Sequence, residues 1–100
     1  MRLTLIGRRY CHLCDDMRAA VAVAAATAAE DGLGLAPEVV EIDLDEHPLL
    51  EDRYTEWVPV LLLGEPETGI EICHYHFDAA KWAAITGLSA PFHRMAATRN

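Results

Sequence analysis

Apolar positions along the chain change period several times. Residues 2–6, RLTLI, form a short branched and leucine-rich run closed by Gly7, which predicts a first strand. From His12 to Glu30 the spacing lengthens. Leu13, Met17, Val21, Ala24 and Ala28 recur every three or four residues and predict one apolar helical face. Eight of the eleven residues from Ala19 to Ala29 are alanine, the strongest helix former, so propensity and pattern agree. Gly32 and Gly34 in DGLG supply the stop.

The second half is more finely divided. EVVEIDL, residues 38–44, alternates acidic and apolar residues around two valines and predicts a second strand. A short helix follows to Tyr54, with Asp45 as its cap and Pro48 in its first turn. VPVLLLG, introduced by Pro59 and closed by Gly64, is a third strand, EPETG a hairpin turn, and IEICHY a fourth strand. A final helix spans 78–86, with Asp78 as N-cap and Gly87 beyond its end. The tail, 88–100, has no clear period and is expected to be poorly ordered at its end. The order β-α-β-α-β-β-α predicts an α/β domain over residues 1–87. Its four-stranded mixed sheet contains one right-handed parallel crossover and one antiparallel hairpin, with helices on both faces.

Composition narrows the classes of function. One hundred residues, half of them hydrophobic, suffice for one core without disulfide staples. No apolar run approaches a membrane span or a signal peptide, so a cytoplasmic protein without membrane contact is expected. A net charge of −8 argues against nucleic acid. The charge is uneven: residues 38–56 hold eight acids and one base, while the first 18 hold four arginines and two acids. A locally positive surface around Arg8 or Arg9 is therefore an expectation. A monomer is expected.

Three cysteines, Cys11, Cys14 and Cys73, are too few for a secreted-type disulfide scaffold. Cys11 falls where the first strand turns into the first helix, and Cys14 lies in that helix's first turn. Exposed N–H groups and the helix dipole favour a thiolate there, so Cys11 should ionise more readily than an ordinary thiol. It could attack a disulfide, and Cys14 could then displace the product. Asp15 and Asp16 oppose the thiolate; His12, as a cation, would favour it, or would be an exposed histidine of slight influence. Two alternatives compete. One is a metal site built from Cys11, Cys14, Cys73 and histidines such as His12, His74 and His76, although alternation would send Cys73 and His74 to opposite faces of a strand. The other is a binding module docking a basic partner on its acidic face. Cys73 is either core or an extra redox partner, and Trp57 either walls a groove or covers the sheet edge.

YCHLCDDM, EIDLDEHPLLEDRYTEWVPVLLLG and GIEICHYHFDAAKW together resemble the glutaredoxin-like branch of the thioredoxin superfamily. The closest resemblance is to small bacterial members with a Cys-x-Leu-Cys site, and it covers residues 2–87. It implies a thioredoxin-type fold and a thiol–disulfide oxidoreductase with Cys11 as nucleophile and Cys14 as resolving cysteine. It further implies a cis Pro59 beside them, with Val58 offering its backbone to an extended substrate. Arg8 matches a basic residue that contacts a glutathione carboxylate. Where better-known glutaredoxins carry Pro-Tyr, this chain has His12-Leu13; Trp57 replaces a threonine, and CHYHFD replaces a Gly-Gly turn, leaving Asp78 as the remnant acid or a helix cap. These departures count against glutathione as the dedicated partner and leave it as a co-substrate. The resemblance implies no bound cofactor, and a disulfide-containing protein or a low-molecular-weight thiol as partner.

Overall fold

The computed structural model describes residues 1–31 and 37–88. Its elements are β1 (Arg2–Gly7), α1 (His12–Asp31), β2 (Glu38–Asp43), a 3-10 turn (Leu44–Glu46), α2 (Pro48–Tyr54), β3 (Val60–Leu63), β4 (Ile70–His74) and α3 (Ala79–Thr86). The strands form one sheet in the order β2-β1-β3-β4. β1 pairs with β2 in parallel and with β3 antiparallel, and β4 returns antiparallel to β3. This is the mixed four-stranded arrangement expected from the element order.

Alternation along the two central strands divides the core. Leu3 and Leu5 of β1 and Leu61 of β3 point to one face, where Met17, Val21 and Ala24 of α1 and Trp82 of α3 cover them. Ile6, Val60 and Leu62 point to the other, under Leu44 and Tyr54. Helices thus flank both faces, and each buried strand residue finds an apolar partner. Among the described residues Thr4 is the buried polar exception, and its hydroxyl donates to the Gly64 carbonyl at 2.7 Å. β4 obeys alternation only in part. A register shift opposite Leu61 and Leu62 inserts one residue, so consecutive Ile72 and Cys73 both enter the α1–α3 core. His74 is left on the opposite side. The hairpin before β4 needs Gly69, because a Cβ there would stand 2.5 Å from the Glu65 carbonyl oxygen.

Three expectations need correction. Leu13 does not join the apolar face of α1; it is 37% exposed, and Cys14 takes its place at the head of the buried row Met17, Val21, Ala24, Ala28. The 3-4-3-4 spacing starts at Cys14, so one residue serves both the core and the reactive pair. Asp45 does not cap α2. The Asp43 carboxylate accepts the Asp45 N–H at 3.0 Å and caps the 3-10 turn, whereas α2 starts at Pro48 with no side-chain cap on its His47 N-cap. Pro48 lacks one of the N–H groups a cap would satisfy. β2 ends at Asp43 rather than residue 44, since Leu44 turns inward and is fully buried. The glycine stop of α1 and the tail beyond residue 88 lie outside the described residues.

Candidate active site

The site is built where β1 hands over to α1. Tyr10 reverses the chain with a left-handed φ of 56° and is fully exposed. Cys11 follows, half-buried, and His12 begins the helix. The Cys11 sulfur accepts the N–H of Cys14, the third helical residue, at 3.1 Å. A serine or aspartate oxygen usually occupies that position, so the sulfur acts as the helix cap. An acceptor there is stabilised most when it carries negative charge. The Cys11 carbonyl accepts the Asp15 N–H at 3.0 Å and completes the turn.

Cys14 has the opposite setting. It is 2% exposed and is joined to Cys11 in a disulfide. Its sulfur lies against Gly7 of β1, where an added Cβ would stand 3.1 Å away. One cysteine of the pair is therefore open to solvent and capped by helix N–H groups; the other is packed on the sheet. His12 is exposed at the first helical position.

The Val58–Pro59 peptide is cis, and the Pro59 side chain is fully buried. The antiparallel register ends at Ile6 opposite Val60, so the next pair along is Gly7 with Pro59. Gly7 touches Cys14, and Pro59 thereby falls at the cysteine end of the sheet. Val58 is half-buried against the α2-side core. Trp57, before it, is 45% exposed; its ring stacks on Tyr75 and meets His74 edge-on. Trp57 thus covers the sheet edge and also lines a shallow groove with Tyr54, Leu62 and His74.

The arginines are engaged elsewhere. Arg8 pairs with Asp45 at 2.5 Å and Glu51 at 3.4 Å, and donates to the Thr55 hydroxyl. Arg9 pairs with Asp43 at 3.2 Å and Glu46 at 3.6 Å. The expected positive surface is therefore neutralised, and the topology explains it. The ends of β1 and β2 are register partners, Gly7 with Asp43, so the basic segment after β1 meets the acidic segment after β2. The backbone N–H of Asp45 and the Arg9 guanidinium hold the Asp43 carboxyl below the usual carboxylate range. The Arg9 pairs with Asp43 and Glu46 border a cleft of about 510 Å³ that Cys14, Leu5, Gly7 and Ile42 also line.

Cys73 and Asp78 have structural partners. Cys73 is buried and unpaired to sulfur, with its thiol 4.0 Å from the Met17 sulfur. Burial pushes its thiol up from the ordinary value. The Asp78 carboxylate accepts the Lys81 N–H at 3.0 Å and caps α3. Among the described residues no three His, Cys, Asp or Glu side chains are gathered to hold a metal ion, and no helix is long and apolar enough to cross a membrane.

Two residues outside any sequence motif border the site: Gly7 lies against Cys14, and Tyr75 bonds the Pro59 carbonyl. Tyr75 adopts a left-handed φ of 64° directly after β4. Only the absence of a Gly-Gly turn in CHYHFD hinted that a bulky residue would take a glycine-like conformation there.

A cysteine pair opening a helix beside a buried proline, on this strand order, defines a glutaredoxin-like protein of thioredoxin-type fold. Residues 2–84 match the family described as Glutaredoxin-like domain (DUF836), and the chain belongs to it. A structural-genomics target protein from X. campestris is 33% identical, with a TM-score of 0.57 over 85% of this chain and 95% of its own. A Nitrosomonas europaea protein solved by NMR is 34% identical, with a TM-score of 0.58 over 88% and 91%. A malarial protein at 14% identity and TM-score 0.57, over 86% and 92%, shares the fold alone. No curated protein matches the chain.

Proposed function

We propose that the protein is a dithiol thiol–disulfide oxidoreductase. The observation that carries this is the Cys14 N–H bonded to the Cys11 sulfur at the start of α1. A half-exposed sulfur in that position is a stabilised thiolate when reduced, and a thiolate is the attacking species. The buried Cys14, one turn away, is joined to the Cys11 sulfur and is shielded from a bulky substrate.

The Cys11 thiolate attacks one sulfur of a substrate disulfide, and the other sulfur leaves as a thiolate that takes a proton from water. Cys14 loses its proton to solvent and attacks the Cys11 sulfur; the second substrate sulfur leaves as a thiolate that takes a proton from solvent, and the Cys11–Cys14 disulfide closes. Two electrons have passed from the protein to the substrate. Two external thiols, or one dithiol, low-molecular-weight or protein-borne, reopen the disulfide by the same steps in reverse and leave joined as a disulfide. Val58, beside Pro59, would pair its backbone with an extended substrate segment. We take a disulfide-containing protein as the main partner, in a reducing compartment such as the cytoplasm, and glutathione as a secondary co-substrate. Arg8, already bonded to Asp45, Glu51 and Thr55, would meet a glutathione carboxylate through its remaining N–H groups, so its charge would be shared with these acids.

The test equilibrates reduced protein across a series of reduced-to-oxidised glutathione ratios, quenches with an alkylating agent and reads intact mass. A reversible loss of two hydrogens with a defined midpoint is the expected result. Cys11→Ser should abolish turnover, while Cys14→Ser should accumulate a mixed disulfide on Cys11. Undiminished exchange by Cys11→Ser would sink the proposal.

A further inference from the structure

The segment leading into Pro59 is held from outside itself by one residue in particular. Tyr75 donates its backbone N–H to the Pro59 carbonyl at 2.9 Å and its hydroxyl to the Glu56 carbonyl at 2.6 Å. Its ring stacks on Trp57 with centroids 6.2 Å apart and planes inclined by 29°. His74 braces both rings edge-on, 4.7 Å from Tyr75 and 5.2 Å from Trp57. The residue does this from a φ of 64°, which bulky side chains rarely adopt without compensating contacts. Two carbonyls, one on each side of the Trp57–Val58 pair, are thus fixed by a single residue.

We propose that Tyr75 is a positioning residue that pre-orders the 56–59 segment for extended peptide disulfides. The inference rests on the oxidoreductase reading and names the substrate class of the same site. A peptide strand laid beside Val58 gains from a segment that is already ordered, because the ordering cost does not fall on binding. A small disulfide reaches the Cys11 sulfur without using that segment. Tyr75 therefore acts on recognition of peptide substrates and leaves the thiol chemistry alone. The exposed ring of Trp57, held by Tyr75, gives such a peptide an aromatic wall.

The test compares two substrates, an extended peptide containing a disulfide and the small neutral bis(2-hydroxyethyl) disulfide, with wild-type protein, Tyr75→Phe and Tyr75→Ala. Tyr75→Phe keeps the ring and the N–H and loses only the hydroxyl. It should raise KM for the peptide by about two- to ten-fold, the worth of one hydrogen bond, with kcat and the small-disulfide rate unchanged. Tyr75→Ala, which also loses the ring, should raise it further. An unchanged peptide KM in both variants overturns the proposal. So does a parallel loss on both substrates, which would make Tyr75 a support of the fold and nothing more. A wild-type protein inert towards both disulfides removes the oxidoreductase reading itself, and that result is seen before any variant is made.

Discussion

Gly7→Ala places a methyl group against the Cys14 sulfur. The added Cβ would stand 3.1 Å from that sulfur and 3.3 Å from the Cys14 Cβ, several tenths of an ångström inside ordinary contact. Gly7 has no left-handed φ to preserve, so the substitution tests space and not backbone conformation. In the reduced protein the Cys14 thiol can rotate away. In the oxidised protein its sulfur is tied to Cys11 and cannot. Overpacking of a core costs about 1–3 kcal/mol, and here most of that cost should fall on the oxidised form. Converted at 30 mV for each 1.4 kcal/mol, the Cys11–Cys14 couple should become more oxidising by about 20–65 mV. The assay is the glutathione-ratio titration read by alkylation and mass, run beside wild type. Thermal melting of each redox form closes the cycle. The oxidised variant should melt lower by roughly 4–8 °C for each kcal/mol lost, and the reduced variant should change less. An unmoved midpoint would refute the reasoning, as would a fall of equal size in both melting temperatures.

Two further substitutions separate structural from chemical roles. Asp78→Ala removes the α3 cap and should destabilise the protein by about 1 kcal/mol in denaturant unfolding. If Asp78 is a cap alone, the rate of Cys11 glutathionylation by oxidised glutathione should not change; a marked slowing would give it a ligand role. Cys73, whose thiol is raised by burial, should make stability fall with pH. Its contribution is fully present below the unfolded thiol value and is lost as pH rises through the folded one. Melting curves from neutral pH to above that range should therefore decline more steeply for wild type than for Cys73→Val, and equal slopes would show that Cys73 is not the cause.

Hydrophobic period and local chemistry determined the elements and the place of the reactive pair. A branched and leucine-rich run closed by Gly7 located β1, the 3.6-residue period located α1, and the exposed N–H groups of a helix start implied that a sulfur at Cys11 would meet backbone donors, as it does. These are short-range effects, set by neighbours within a turn or a strand pair. The tertiary structure decided everything that depends on which segments meet. Arg8 and Arg9 read as free positive charge, until the parallel β1–β2 register delivered the acidic segment to them. Leu13 read as core, but docking α1 on the sheet rotated Cys14 inward against Gly7. Ile72 and Cys73 share one face only because β4 bulges, and Tyr75 takes a glycine-like φ only because Pro59, Glu56 and Trp57 reward it. Long-range packing selects among conformations that local sequence leaves nearly equal in energy, and those selections shape the surroundings of the cysteine pair.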